Sequence, residues 1–172
     1  VEQTIDLYHI DHYTLSGVPN TGFTEALAFV FQKRDLMLMG YDQAVDDNTT
    51  LDIFWGLYEI MGVSLVDMRM WQWLYAHPDA TAQQLREATL AIAKEVWNTY
   101  YYPVLGEQDS PILACYSHMV NAPMYLPNYP FGHIVEFQLE EHLAQFPTKQ
   151  AFADEIMRIY KLGKLTPNQW MQ

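Results

Sequence analysis

The stretch Thr81-Ala-Gln-Gln-Leu-Arg-Glu-Ala-Thr-Leu-Ala-Ile-Ala-Lys-Glu-Val-Trp-Asn-Thr-Tyr100 decides the fold class. It opens with Thr81 and carries Gln84 three residues on, the signature of a capping box, in which each side chain meets a backbone N–H of the other residue. Leu85, Ala88, Ile92, Val96 and Tyr100 then recur at helical spacing, while Gln84, Arg86, Glu87, Lys94 and Glu95 fall mostly off that stripe. Such a pattern predicts an amphipathic helix with one face on a core. Pro103 and Gly106 terminate it.

The same period continues on both sides. Upstream, Thr49 or Thr50 opens a helix through Leu51, Phe54, Trp55, Tyr58 and Ile60. Gly62 permits a break, and Val63 to Tyr75 resumes until His77-Pro78-Asp79. Trp71 and Trp73, with Met68 and Met70, fit a helix packed in a core better than a cofactor box. Earlier still, Asn20 or Thr21 caps a mostly apolar helix to about Met39, stopped by Gly40. Downstream, Ser110-Pro111 opens a helix to about Met119, and residues 121–132 form a proline-shaped loop. Phe131 to Phe146, Ala151 to Leu162 and a short turn from Thr166-Pro167 complete the chain. No segment alternates as a strand bounded by hairpin turns does. The expectation is an all-α fold of about six to eight helices in one domain spanning residues 1–172.

Composition narrows the function classes. Half of the 172 residues are hydrophobic, which excludes disorder as the general state. A net charge of −12 argues against a nucleic-acid surface and against binding to anionic membranes. No apolar run reaches the length of a membrane span, and no signal peptide opens the chain. The single Cys115 excludes an internal disulfide and, among apolar neighbours, reads as a buried small residue.

Two stretches carry chemistry. In Pro19-Asn-Thr-Gly-Phe-Thr-Glu25-Ala-Leu-Ala-Phe29, a carboxylate sits in an otherwise apolar helix, which is costly unless a cation meets it. From the residues alone, Glu25 caps its own helix, pairs with Arg34, or binds a metal. The second stretch is Tyr125-Leu-Pro-Asn-Tyr-Pro-Phe-Gly-His-Ile-Val-Glu-Phe-Gln138, preceded by His118. Its tyrosines either pack or, held by the prolines, act as oriented donors. His9-Ile-Asp-His12 has two histidines three apart, a spacing that could hold a metal but reads more simply as a polar surface feature.

The first stretch resembles the glutamate-bearing segment of gluzincin metallopeptidases, where the angiotensin-converting-enzyme type has P-x-x-F-x-E-A. The second is similar to the Y-x-P-x-Y-x-x-G segment of carboxypeptidase Taq-type enzymes and to the tyrosine loop of converting enzymes and oligopeptidases. The resemblance implies a zincin-like helical catalytic lobe, with zinc as cofactor of the complete protein and a peptide as substrate. It makes Glu25 the third zinc ligand, Tyr129 the oxyanion donor, and His118 and Tyr125 substrate-binding residues. Phe29 departs from the converting-enzyme pattern, which has an Asp there supporting a zinc histidine. The family's H-E-x-x-H, which supplies two zinc ligands and the general base, is absent from residues 1–172. Counted back from Glu25, it would fall at or just before Val1. The expectation is therefore a C-terminal portion of a larger peptidase, inactive alone, whose remaining partner is the segment before it. Apolar surface left uncovered there could drive self-association. The alternative is a non-catalytic all-α binding or scaffold domain, including a degenerate peptidase homologue.

Overall fold

The capping box forms as its sequence predicts. Gln84 N–H donates to Thr81 Oγ1 at 3.3 Å, and Thr81 N–H donates to Gln84 Oε1 at 2.8 Å. The computed structural model containing it describes residues 21–34, 39–40, 47–162 and 167–172. They form helices α1 (Thr21–Gln32), α2 (Asp47–Ala76), α3 (Ala82–Tyr100), α4 (Tyr102–Leu105), α5 (His118–Asn121), α6 (Asn128–Leu143), α7 (Lys149–Lys161) and α8 (Pro167–Trp170). A 3-10 turn at Ile112–Ala114 lies between α4 and α5. The described residues contain no strand, so the fold is all-α. None of their helices is long and apolar enough to cross a membrane.

The residues gather into two compact units, one from residue 45 to Pro130 and the other from α1 with residues 131–172. In the first, α2 packs on α3 through Val63, Val66, Met70, Ala93, Val96 and Trp97, joined by Leu113, Met119 and Leu126. In the second, Phe23, Ala26, Leu27 and Val30 of α1 meet Val135, Leu139 and Leu143 of α6, Ile156 and Ile159 of α7, and Trp170.

Several expectations need correcting. Gly62 does not break α2, which runs unbroken for 30 residues. A Cβ there would overlap the ring and hydroxyl of Tyr101, so this glycine admits a neighbouring side chain. The core stripe of α3 is rotated: Ala93, Val96 and Trp97 are buried, whereas Tyr100 is exposed. The helix expected over 110–119 is only the 3-10 turn and, after a gap, α5. Cys115 leaves helical geometry at ψ 44°, which stops the turn from continuing as a helix. Cys115 is exposed. Trp73 stacks on His77 at 4.2 Å and is half-buried, outside the core. Helix α1 ends at Gln32 in a turn over Lys33 and Arg34; the residues expected to extend it towards Met39, and His9 and His12, lie outside those described.

Candidate functional site

A proline builds the tyrosine segment. Pro123 occupies the second position of a turn whose third residue, Met124, has φ 59°, and Tyr125 N–H closes it onto Ala122 O at 3.1 Å. Proline followed by positive φ is the pattern of a type II turn, though with a non-glycine residue where glycine is favoured. Leu126 then plunges into the core and is fully buried. Ser64 Oγ lies 2.9 Å from Leu126 O and 2.6 Å from Ile60 O, so its one hydroxyl proton ties the segment to α2 or back-bonds within it. Asn128 donates through its backbone N–H and its Nδ2 to Tyr125 O, at 2.9 and 2.8 Å, and α6 begins. Pro130 falls in the first turn, where a missing N–H costs nothing. Tyr129 is thus on a helix rather than on the expected loop.

This brings His118, Tyr125 and Tyr129 together. The His118 ring lies 5.8 Å from that of Tyr125 and 6.1 Å from that of Tyr129, and the two tyrosines are 5.5 Å apart at 68°. Tyr116 stands 5.3 Å behind His118. All three expected residues are half-buried. His118 Nδ1 is buried without a hydrogen-bond partner, which leaves an unsatisfied polar atom inside the cluster.

Beneath the segment lies an acid that the sequence pattern did not single out. Asp67 of α2 is fully buried. Burial pushes its carboxyl above the ordinary range, opposed by the Met124 backbone, the Trp71 indole and the Leu126 backbone. Neither carboxyl oxygen completes a hydrogen bond of regular geometry.

Glu25 belongs to the other unit. It is half-buried on α1. A Cβ on Gly132 would fall 2.8 Å from Glu25 Cβ and 3.1 Å from both Ala26 N and Gly22 O, so α1 and α6 cross almost backbone to backbone there. Arg34, one of the partners weighed for Glu25, forms a bidentate pair with Glu140 at 2.6 and 2.7 Å. The fully buried carboxylate here is Glu136, with Lys33 Nζ 2.7 Å from Oε1 and His133 Nδ1 3.0 Å from Oε2. Burial would raise its pKa, but the His133 hydrogen bond and the Lys33 ammonium hold it below the ordinary carboxylate range. Phe29 lies flat on the His133 imidazole at 3.8 Å and 4°. The spacing His133-x-x-Glu136 was the available signal for this centre, but nothing local links it to Lys33. Further along, Glu155 accepts from His142 Nε2 at 2.7 Å and from Arg158 at 2.7 and 2.8 Å. Mainly the Arg158 hydrogen bond draws its pKa down to about 2.

Glu25 offers a hard oxygen donor on a helix that crosses α6 closely. Among the described residues, no three His, Cys, Asp or Glu side chains gather closely enough to hold a metal. A scan against protein-family models and searches of curated proteins and of solved structures each return no match.

Proposed function

We propose that this chain contributes a zinc-ligand helix and a tyrosine segment to a zinc-dependent peptidase of the gluzincin class. The supporting observation is the His118–Tyr125–Tyr129 cluster: three residues picked from a motif pack within 6.1 Å of one another, ring to ring. In this reading Glu25 is one zinc ligand, and two histidines and a general base come from an H-E-x-x-H segment outside residues 1–172. Bound zinc would supply an activated water and polarise the scissile carbonyl. In the same reading Tyr129 would be the donor to the oxygen on which negative charge develops, and the first turn of α6 fixes its Cα. A donor positioned before the reaction stabilises the oxyanion without reorganising. His118 and Tyr125 hold the substrate backbone, the unsatisfied His118 Nδ1 being available for a polar group. The 172-residue chain by itself is expected to be inactive and to bind zinc weakly, because one carboxylate is a poor site.

The test uses a protein in which this chain follows an H-E-x-x-H segment. Tyr129→Phe should lower kcat about 10²-fold with little change in KM. Glu25→Ala should abolish tight zinc binding, measured by competition with a chromogenic chelator. Unchanged zinc affinity in Glu25→Ala together with full activity in Tyr129→Phe would overturn both residue assignments, whereas no tight zinc binding and no peptidase activity in the unsubstituted protein would leave the non-catalytic helical scaffold as the better reading.

A further inference from the structure

Unit 45–130 contains a second feature, which does not depend on the peptidase reading. Between the N-terminal half of α2, the end of α3 and the segment around the 3-10 turn lies an open cavity of about 370 Å³, within the usual range for small-molecule pockets. Trp55, Tyr58, Trp97, Tyr101 and Tyr116 line it, and among the described residues Glu59 is the one carboxylate of the lining, to which no described Lys, Arg or His contributes.

The walls are held before any ligand arrives. Tyr101 OH donates to Tyr58 O, and Tyr58 OH donates to Tyr100 O. Trp97 Nε1–H donates to Glu107 O at 2.6 Å and stacks on Tyr101 at 5.2 Å and 10°. Tyr58 tilts against Tyr101 at 4.7 Å, and Trp55 meets Tyr58 edge-on at 5.7 Å. These bonds use the polar hydrogens of three rings on backbone carbonyls, so those rings have no donor left for an anion. Burial raises the Tyr101 phenol to about 12, which keeps it neutral.

Aromatic faces carry negative potential and attract cations, methylated ammonium above all, because it has no N–H and little hydration to lose. A primary ammonium is strongly hydrated and loses more on leaving water than one exposed carboxylate and a few phenol oxygens return, whereas a methylated ammonium loses little. The net charge of −12 adds a long-range field of the same sign.

We propose that this cavity binds a small, free methylated-ammonium compound of choline size, with Trp55, Tyr58, Trp97, Tyr101 and Tyr116 as its cage and Glu59 as an outer counter-charge. A recess of about 370 Å³ matches a free small molecule in size better than it matches a lipid surface.

The probes are choline and its neutral isostere 3,3-dimethyl-1-butanol, titrated into the 172-residue chain by calorimetry with tryptophan fluorescence in parallel. Choline should bind at least about tenfold more tightly than the isostere. Trp55→Ala, at a half-open wall position, should weaken choline about tenfold, with the helical circular-dichroism signal retained. Glu59→Gln should weaken choline a few-fold and leave the isostere unaffected, because an exposed carboxylate is screened. Equal affinity for the two probes, or no saturable choline binding, would overturn the proposal. Tighter binding to phosphatidylcholine vesicles than to choline would overturn its assignment to a free small molecule.

Discussion

At the residue scale, a carboxylate among apolar helix neighbours is stable only where water or a cation reaches it. Glu25 stands out because its neighbours are apolar, yet it is only half-buried. Glu136 on α6, by contrast, is fully buried. Of the apolar residues on that helix, Leu139 and Leu143 are buried, but Ile134 and Phe137 are 52% and 44% exposed. Periodicity could not show the burial of Glu136, because a buried charge is tolerated only through its partner, and Lys33 is remote in sequence. Lys33 is itself 26% exposed, so removing it bares the carboxylate rather than two buried ions. Lys33→Met should therefore destabilise the protein by about 3 kcal/mol, the lower end for breaking a buried pair. Adding Glu136→Leu should recover most of that loss, since the second change removes the stranded charge. Urea unfolding of the single and double variants measures both. If the double variant were no better than Lys33→Met, the carboxylate would not be the origin of the cost.

At the element scale, two glycines in helices have opposite meanings that sequence alone cannot separate. Gly56 in α2 has nothing within 4 Å of where a Cβ would be. Gly132 in α6 faces Glu25 Cβ at 2.8 Å and two backbone atoms of α1 at 3.1 Å. Gly56→Ala should stabilise by up to about 1 kcal/mol, through helix propensity alone. At Gly132 the same gain is outweighed by overpacking of about 1–3 kcal/mol, because backbone can yield only by moving a helix. Gly132→Ala should thus destabilise, and thermal unfolding of the two variants should shift in opposite directions. Helix existence was legible wherever caps and period agreed, as in α3. Helix ends were less so: α6 begins at Asn128 because its turn and first-turn Pro130 allow it, and this places Tyr129 on the helix. The clustering of His118, Tyr125 and Tyr129 was legible only through motif resemblance. Asp67 under that segment was not legible, because its burial depends on Leu126 folding back across α2.

At the scale of the whole molecule, the excess of acid over base sets how salt acts on stability. Twenty-one Asp and Glu face nine Lys and Arg, so repulsion among carboxylates persists however the cations are shared. Added NaCl weakens that repulsion and also weakens the ion pairs. The two effects differ in range. Lys33–Glu136 at 2.7 Å and the bidentate Arg34–Glu140 pair are in contact and partly buried, so a screening length of about 10 Å at 0.1 M leaves them largely intact. Arg69–Glu95 is the exposed kind, worth about 0–1 kcal/mol at most. Repulsion among the surplus charges acts over longer distances and is screened first. Stability should therefore rise with NaCl. A gain of about 1 kcal/mol corresponds to a Tm increase of roughly 2–4 °C at this chain length. Scanning calorimetry across a salt series at neutral pH measures it. A Tm that fell instead would mean that the contact pairs, and not the net charge, dominate the electrostatics of this molecule.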